Sequence, residues 1–431
     1  MDVEILVPGI LILLFVLIFL GGHLGLAMTG AAVLGTILLI GFDPALSLAG
    51  LSIYETALSF NLSVIPLFVL MGTFASKAGI SSDLYEAFNH WLRRRRGGLA
   101  YATIAACGAF GAVCGSSLAT AATMGKVALP QMDKYGYHAR LSTGSVAAGG
   151  TIGILIPPSV IMVIYGILTE TSIGDLFIAG IVPGLLLVLA FLLTITCLVK
   201  LDHTLVPNTD EPSVAPATGT TFRKIWSTLA LFIIVIGGIY GGIFTPTEAA
   251  GIGAMGALVI GMMMKRLDAK KIMESLMETL ETTAMIFLIL IGAILFSSFL
   301  TLTSTPAMIG DWIEALNLSP FWTLVFILAI YIVLGALLDT MAMIILTIPI
   351  FFPIVMAMGF DPVWFGVVVV IVVELALITP PMGINVFVIR GLSQNVSLAT
   401  IFRGVLPFCL SLLVVLGLVV FFPGLATFAI R

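Results

Sequence analysis

The sequence has few charged residues. Aspartate, glutamate, lysine and arginine make up 9% of its 431 residues, hydrophobic residues make up 60%, and the mean hydropathy is +1.22. This composition excludes a soluble globular domain, which needs a charged surface. A helix that crosses a bilayer takes roughly 20 apolar residues, and such segments follow one another along most of the chain. The composition therefore predicts an all-α polytopic membrane protein.

Cysteine and histidine are also scarce, with four residues of each. The cysteines lie in apolar stretches without metal-ligand spacing, which argues against a redox or metal role. The histidines lie at helix ends or in loops, and none is placed as a base for Ser116 or Ser117. This argues against intramembrane hydrolysis. Basic residues are missing before the first apolar run, Ile5 to Leu20, so we expect a permanent helix there instead of a cleaved signal peptide.

Two pairs of prolines recur at a fixed distance. The pair Pro157-Pro158 returns 223 residues later as Pro380-Pro381 (157 to 380), and each pair interrupts an apolar run of membrane length. Proline removes a backbone donor and clashes with the preceding turn, so two in a row unwind a helix. Broken helices at matching places in two halves point to a transport site near the membrane midplane.

The repeat divides the chain into two copies, 3–199 and 225–431, joined by a polar linker at 200–224. Short loops rich in lysine and arginine stay in the cytoplasm. Arg93 to Arg96 form such a loop in the first copy, whereas the matching loop of the second copy carries acidic residues and no base. The other matched loops disagree in sign in the same way. We therefore predict inverted copies, with both termini periplasmic and the linker cytoplasmic.

Each copy also contains a stretch that does not suit a simple crossing. Residues 100–132 lie between two basic loops, and their middle, Gly115 to Ser117, is small and polar. A re-entrant helical hairpin with its tip at these residues satisfies both observations. The counterpart is 321–356, with the tip at Leu338 to Thr340. Irregular backbone at this depth is tolerated only inside protein or along a wet cavity, so both tips are expected to be interior.

The broken helices are predicted at about 141–168 and 363–390, after scaffold helices in each copy. Unwinding around the proline pairs frees backbone carbonyls, which are ligands of the kind that hard cations such as Na⁺ take. The start of the second half of each broken helix offers free N–H groups and the positive end of a helix dipole to an anion.

Several motifs resemble the large membrane subunit of tripartite ATP-independent periplasmic (TRAP) transporters, and the resemblance spans essentially the whole chain. They are Phe244 to Ala250, Gly115 to Ser117, Gly153 to Ser159 followed by Tyr165-Gly166, and Thr379 to Asn385. The family implies two inverted repeats and an elevator motion of a transport part against a scaffold. It implies Na⁺-coupled uptake of small carboxylates such as C4-dicarboxylates or sialic acid across the bacterial inner membrane.

The family also implies two partners, a small four-helix membrane subunit and a soluble periplasmic substrate-binding protein. The chain begins directly in the large-subunit pattern, so we expect the small subunit to be a separate polypeptide. Na⁺ would be the coupling ion, with at least two bound.

We predict one Na⁺ site in each copy, where the hairpin tip meets the broken helix, and the organic acid between the two sites. The residues assigned to Na⁺ are Gly115, Ser116, Ser117, Gly150, Gly153, Ile156, Asp339, Thr340, Ala376 and Thr379. The residues assigned to substrate are Ser117, Ser159, Asn385 and Arg390. Pro157, Pro158, Pro380 and Pro381 break the helices. The second tip alone carries a carboxylate, so the two sites should differ.

Three assignments keep an open alternative. Asp339 could be a helix-end residue, Glu374 could cap unwound backbone, and Arg390 could be a topological charge instead of a clamp on a substrate carboxylate. Other classes also remain open. One is a binding-protein-independent Na⁺/anion symporter of a related inverted-repeat fold. A membrane transferase or protease and a purely structural subunit lack the expected residues or leave the twin broken helices unexplained.

Overall fold

A computed structural model describes residues 3–207, 220–315, 319–335 and 338–430 of the chain. All regular secondary structure in these ranges is helical. Residues 208–219 of the predicted linker 200–224 lie outside the described residues.

The first copy contains ten α-helices in the described part of the chain. They are α1 (Val3–Phe19), α2 (Leu24–Ile40), α3 (Phe42–Leu58), α4 (Val64–Lys77), α5 (Ile80–Leu92), α6 (Gly98–Cys114), α7 (Ser117–Lys134), α8 (Ala139–Leu155), α9 (Val160–Thr169) and α10 (Ile173–Leu201). Short 3₁₀ turns lie at Phe60–Ser63 and His203–Leu205.

The second copy contributes ten more among the described residues. They are α11 (Thr220–Tyr240), α12 (Pro246–Met263), α13 (Ala269–Leu302), α14 (Thr305–Ala315), α15 (Pro320–Leu334), α16 (Thr340–Ala357), α17 (Pro362–Ala376), α18 (Ile384–Leu392), α19 (Leu398–Phe421) and α20 (Gly424–Thr427).

Six helices in the described ranges are long and apolar enough to cross a membrane, and α8 with α9 forms a seventh span bent by 41°. The six are Phe60–Lys77, which joins a 3₁₀ turn to α4, Ile173–Leu201, Pro246–Met263, Ala269–Leu302, Thr340–Ala357 and Leu398–Phe421. The predicted all-helical membrane architecture is confirmed. Re-entrance of the hairpins and inversion of the copies stay predictions.

Helix boundaries follow the sequence offset closely. Helices α7 and α16 each have 18 residues, and both their first and last residues are 223 positions apart (117 to 340, 134 to 357). The residues that cap them, Ser116 and Asp339, also correspond, and each accepts a hydrogen bond from the backbone N–H three residues on. A side-chain acceptor at this position satisfies one of the free donors of the first turn, so it fixes where the helix begins.

Helices α8 and α17 form the centre of the molecule, since every residue from Leu141 to Leu155 and from Val363 to Ala376 is buried. A helix that is apolar or small on all sides is enclosed on all sides. Glycines let the neighbours approach. A methyl group at Gly111 of α6 would lie 2.4 Å from the Cα of Gly153 in α8, and one at Gly144 would lie 2.5 Å from the carbonyl oxygen of Gly404 in α19.

An ion pair outside the membrane spans joins the two copies. The Arg266 guanidinium, between α12 and α13, donates to both carboxylate oxygens of Asp83 in α5, at 2.5 and 3.1 Å, and to the Ala78 carbonyl at 3.2 Å. Hydrogen bonding to Asp83 raises the pKa of the Arg266 guanidinium. Asp83 is buried, whereas the Arg266 side chain is 39% exposed.

Arg266→Ala is expected to lower the free energy of unfolding by about 2 kcal/mol, because it leaves the buried Asp83 carboxylate without its bidentate partner. The matched control is Lys77→Ala. The Lys77 nitrogen lies 3.6 Å from carboxylates of both Glu274 and Glu278, which are largely solvent-accessible, so its loss should cost less than about 1 kcal/mol. Thermal unfolding of the purified protein in detergent measures both. Equal effects of the two variants would contradict this ranking.

Candidate functional site

The first hairpin tip lies directly against the first helix break. Gly115, between α6 and α7, has a φ of 65°, and a methyl group there would lie 2.8 Å from the carbonyl oxygen of Pro158. Both the left-handed backbone and the close approach require glycine. The peptide bonds within both proline pairs are cis. The structure thus brings the tip of the first copy to the broken helix of that copy.

The first tip also reaches the second copy. The Ser117 hydroxyl, at the start of α7, donates to Oε2 of Glu374 in α17 at 2.5 Å. The Glu374 side chain has no exposed surface, and its Oε1 has no hydrogen-bond partner among the described residues. No ion pair within 4.0 Å joins Glu374 to a lysine, arginine or histidine in the described ranges. A serine of one copy is therefore bonded to a carboxylate of the other.

Asn385, in the first turn of α18, makes a second link between the copies. Its Nδ2 donates to the carbonyl of Ala147 in α8 at 3.3 Å, while its Oδ1 has no partner in the described part of the chain. A methyl group at Gly150 would lie 3.2 Å from this Nδ2 and 3.1 Å from the carbonyl oxygen of Ser117. Ser117 and Asn385 therefore both approach the backbone of Gly150.

The two helix breaks expose backbone carbonyls to different degrees. In α8 the prolines at 157 and 158 have no N–H, so the carbonyls of Gly153 and Ile154 lose their helical donors. At the end of α17 the equivalent carbonyls accept hydrogen bonds from other donors. The Thr379 N–H donates to the Ala376 carbonyl at 3.3 Å, and the Asn385 N–H donates to the Leu377 carbonyl at 3.2 Å. The first break is therefore the richer in free acceptors.

Gly153 lies next to Thr120, whose Oγ1 would be 2.7 Å from a methyl group on that glycine. Thr120 is fully buried, and its hydroxyl lacks a hydrogen-bond partner among the described residues. Sequence reasoning missed Thr120. A signal was available, because Thr120 lies three positions after Ser117 and so shares its helix face.

Other residues assigned to the first site serve the helix ends. The side chains of Ser116 and Ser159 accept bonds from the N–H groups of Ala119 and Met162, at 3.4 and 3.3 Å, and so cap α7 and α9. Ile156 closes α8, since its N–H donates to the Ile152 carbonyl at 3.2 Å. Their roles toward Na⁺ and substrate stay predictions.

The second tip lies against the end of α17. A methyl group at Gly335 would lie 2.1 Å from Cβ of Ala376. Asp339 caps α16 by accepting from the Ala342 N–H at 2.7 Å, and Thr340 follows it, buried, as the first residue of the helix. The Thr379 hydroxyl donates to the Leu375 carbonyl at 2.6 Å. The cation role of Asp339 stays a prediction.

Arg390 binds the loop that follows its own helix. One guanidinium nitrogen donates to the carbonyls of Ser393 at 3.1 Å, Gln394, and Val396 at 2.5 Å. These bonds hold the chain between α18 and α19. The clamp on a substrate carboxylate stays a prediction for the remaining guanidinium donors.

The sequence of this chain matches a known family. Residues 11–425 match the model of the DctM component of the tripartite ATP-independent periplasmic transporters. The chain belongs to this family. The family resemblance drawn from the motifs is thereby confirmed, and the protein is a multi-pass membrane permease component.

Several curated relatives of this DctM-family chain are more than 30% identical to it over the aligned residues. The C4-dicarboxylate TRAP transporter large permease protein DctM of Pseudomonas aeruginosa is 38% identical over 402 residues, covering 93% of this chain and 92% of the relative. The sialic acid TRAP transporter large permease protein SiaM of Vibrio cholerae is 33% identical over 367 residues, covering 85% of each.

Among solved structures, the YdaH transporter of Alcanivorax borkumensis has a similar fold. The TM-score is 0.63 at 16% sequence identity, over 89% of this chain and 90% of that one. At this identity the likeness concerns the fold alone.

Proposed function

We propose that this permease imports a small organic carboxylate together with Na⁺, and that a periplasmic binding protein delivers the substrate. The observation that carries the proposal is the meeting of the first hairpin tip and both broken helices at one buried polar cluster, Ser117, Gly150, Glu374 and Asn385. Buried polar side chains inside an otherwise apolar membrane protein mark ion and substrate pathways.

The substrate class follows from the relatives and from charge. The two relatives are named for C4-dicarboxylates and for sialic acid, both of which are carboxylates. The half-helices α9 and α18 begin at the two breaks, and their N-termini present the positive ends of helix dipoles to such an anion. Ser159, Asn385 and Arg390 are the side chains we assign to it.

Na⁺ would bind at each tip and make the pocket less negative, which raises its affinity for the anion. By linkage, the anion raises the affinity for Na⁺ by the same factor. Inward movement of each positive charge gains about 2.3 kcal/mol per 100 mV of membrane potential. Because Na⁺ and the anion bind together, the energy of inward Na⁺ movement can drive uptake of the anion against its concentration gradient.

We further propose an elevator motion. Helices α6 to α9 and α15 to α18 pack on one another around the breaks and would move as the transport part. Helices α2, α4, α12 and α13 pack together, with α4 also touching α6 and α9 and α13 touching α16, and would form the scaffold. The contact between Thr73 and Thr279 at 3.2 Å would hold the scaffold across the two copies.

Uptake by proteoliposomes tests the function. The permease is reconstituted with the small four-helix subunit, and labelled succinate or sialic acid is supplied with or without the periplasmic binding protein. We expect uptake to require an inward Na⁺ gradient and the binding protein. Uptake without any Na⁺ gradient would contradict the proposal. Na⁺-driven uptake without the soluble protein would instead favour the binding-protein-independent symporter.

Asp339→Asn is expected to raise the Na⁺ concentration for half-maximal uptake by about tenfold, because it removes one charge from a cation site. Asparagine caps a helix as well as aspartate does, so α16 should stay folded. The matched control is Asp268→Asn, which changes the cap of α13, where the carboxylate accepts from the Lys271 N–H at 2.8 Å. An unchanged Na⁺ requirement in Asp339→Asn would remove this residue from the site.

A further inference from the structure

Glu374 is a carboxylate in an unusual position. It lies on α17, buried on all sides, and its hydrogen-bond partner is the neutral hydroxyl of Ser117 at 2.5 Å. Its Oε1 has no partner, and no described cationic side chain pairs with it. A carboxylate in such surroundings requires a neutralising partner, because an isolated buried charge is very costly.

Oxygens with free lone pairs lie on Ser117 itself and on residues of the helices packed beside it. The Ser117 hydroxyl gives its hydrogen to Glu374, which leaves its oxygen lone pairs available. Asn385 Oδ1 and Thr120 Oγ1 are both buried without a partner in the described part of the chain. The Gly153 carbonyl, next to Thr120, lost its helical donor to Pro157. Such a set of oxygens suits a hard cation.

We infer that Glu374 is a ligand or close counter-charge of the first Na⁺ site, which is closed by α17 and α18 of the second copy and not built from the first copy alone. This inference rests on the proposed Na⁺ coupling. A proton on Glu374 would neutralise the carboxylate but supply a single donor, which leaves all but one of these oxygens without a partner. A cation bound beside Glu374 supplies the missing counter-charge and accepts lone pairs from several oxygens.

The inference changes the expected relation between the two sites. The second tip carries Asp339, and the first tip has Ser116 at the equivalent position (116 to 339). With Glu374 included, each site has one carboxylate and can neutralise one monovalent cation. The first site is then complete only when the two copies are packed together. Na⁺ binding at this site therefore depends on the packing of α17 against α7 and α8.

The test is Na⁺-driven uptake by the complete transporter with Glu374→Gln, which keeps the shape and removes the charge. We expect the Na⁺ concentration for half-maximal uptake to rise at least about tenfold. Na⁺-dependent thermal stabilisation of the purified permease, measured against choline at constant ionic strength, should weaken in parallel. Glu374→Asp, which keeps the charge, should retain part of the Na⁺ response.

The matched control is Asp361→Asn, on the same helix. Asp361 is exposed and caps α17 through the Trp364 N–H at 2.9 Å, so its variant should keep the wild-type Na⁺ response. Melting in Na⁺-free choline buffer shows whether each variant is folded.

A wild-type Na⁺ response in folded Glu374→Gln overturns the inference while the proposed function stands. The inference is also overturned if Glu374→Gln loses the pH dependence of uptake but keeps the wild-type Na⁺ requirement, since Glu374 would then be a proton site. Absence of any Na⁺ dependence in the wild type overturns the proposed function itself.

Discussion

Gly404→Ala is expected to lower the free energy of unfolding by at least about 3 kcal/mol. A methyl group at this position of α19 would lie 2.2 Å from the carbonyl oxygen of Arg140 and 3.2 Å from the Cα of Gly144, both in α8. These are backbone atoms, so no rotation of a side chain can relieve the contact. The two helices must separate, and α8 carries the first break. We therefore expect loss of uptake together with loss of stability.

The same helix supplies the control. Gly417 also lies in α19, and nothing lies within 4 Å of a methyl group placed there. Gly417→Ala should be neutral or stabilising by up to about 1 kcal/mol, since alanine favours the helix. Thermal unfolding in detergent and uptake in proteoliposomes compare the two variants. A Gly404→Ala protein as stable as Gly417→Ala would show that α8 and α19 do not need this close approach.

The double variant Pro157→Ala, Pro158→Ala is expected to reduce uptake to background while a cooperative melting transition is retained. Proline is about 3 kcal/mol less favourable than alanine inside a helix, so alanines favour a helix that continues from α8 towards α9. Two N–H groups then become available to the carbonyls of Gly153 and Ile154. These carbonyls are the acceptors that the first break offers to a cation, and the start of α9 would lose its free donors.

Pro130→Ala is the control for this variant. Pro130 lies inside α7, away from the break, and is exposed. Its replacement restores one backbone N–H donor within α7. Uptake should stay within about twofold of wild type, since the hydrogen bonding of the carbonyls at the break does not change. Wild-type uptake by the double variant would contradict the role that we assign to the unwound segment.

The two copies share helix boundaries but not chemistry. The residue equivalent to Glu374 in the first copy is Thr151 (151 to 374), whose hydroxyl donates to the Ala148 carbonyl at 2.6 Å within its own helix. The equivalent of Ser117 is Thr340 (117 to 340). The cross-copy bond between Ser117 and Glu374 therefore has no symmetric counterpart at these positions. A pseudo-symmetric scaffold thus supports two unlike sites.

Much of the architecture could be predicted because its signals are local. Apolar runs require helices in a bilayer, paired prolines interrupt them, and a small polar segment such as Gly115 to Ser117 marks a turn between helices. The predicted tip at Gly115 to Ser117 adjoins the end of α6 at Cys114 and the start of α7 at Ser117. Sequence reasoning also selected Ser117, Gly150 and Asn385, because polar or small residues next to a break have few structural reasons to be there.

The sequence by itself determined that the chain is helical and where paired prolines interrupt two of its helices, since hydrophobic runs and prolines act over a few residues. The tertiary structure alone decided which breaks meet. Ser117 and Glu374 are 257 positions apart, and Asn385 and Ala147 are 238 apart. No local pattern encodes such pairs, because they depend on how closely α8 packs against α17, α18 and α19. Glycine contacts between backbones set that closeness, and a few tenths of an ångström decide whether a serine reaches a carboxylate.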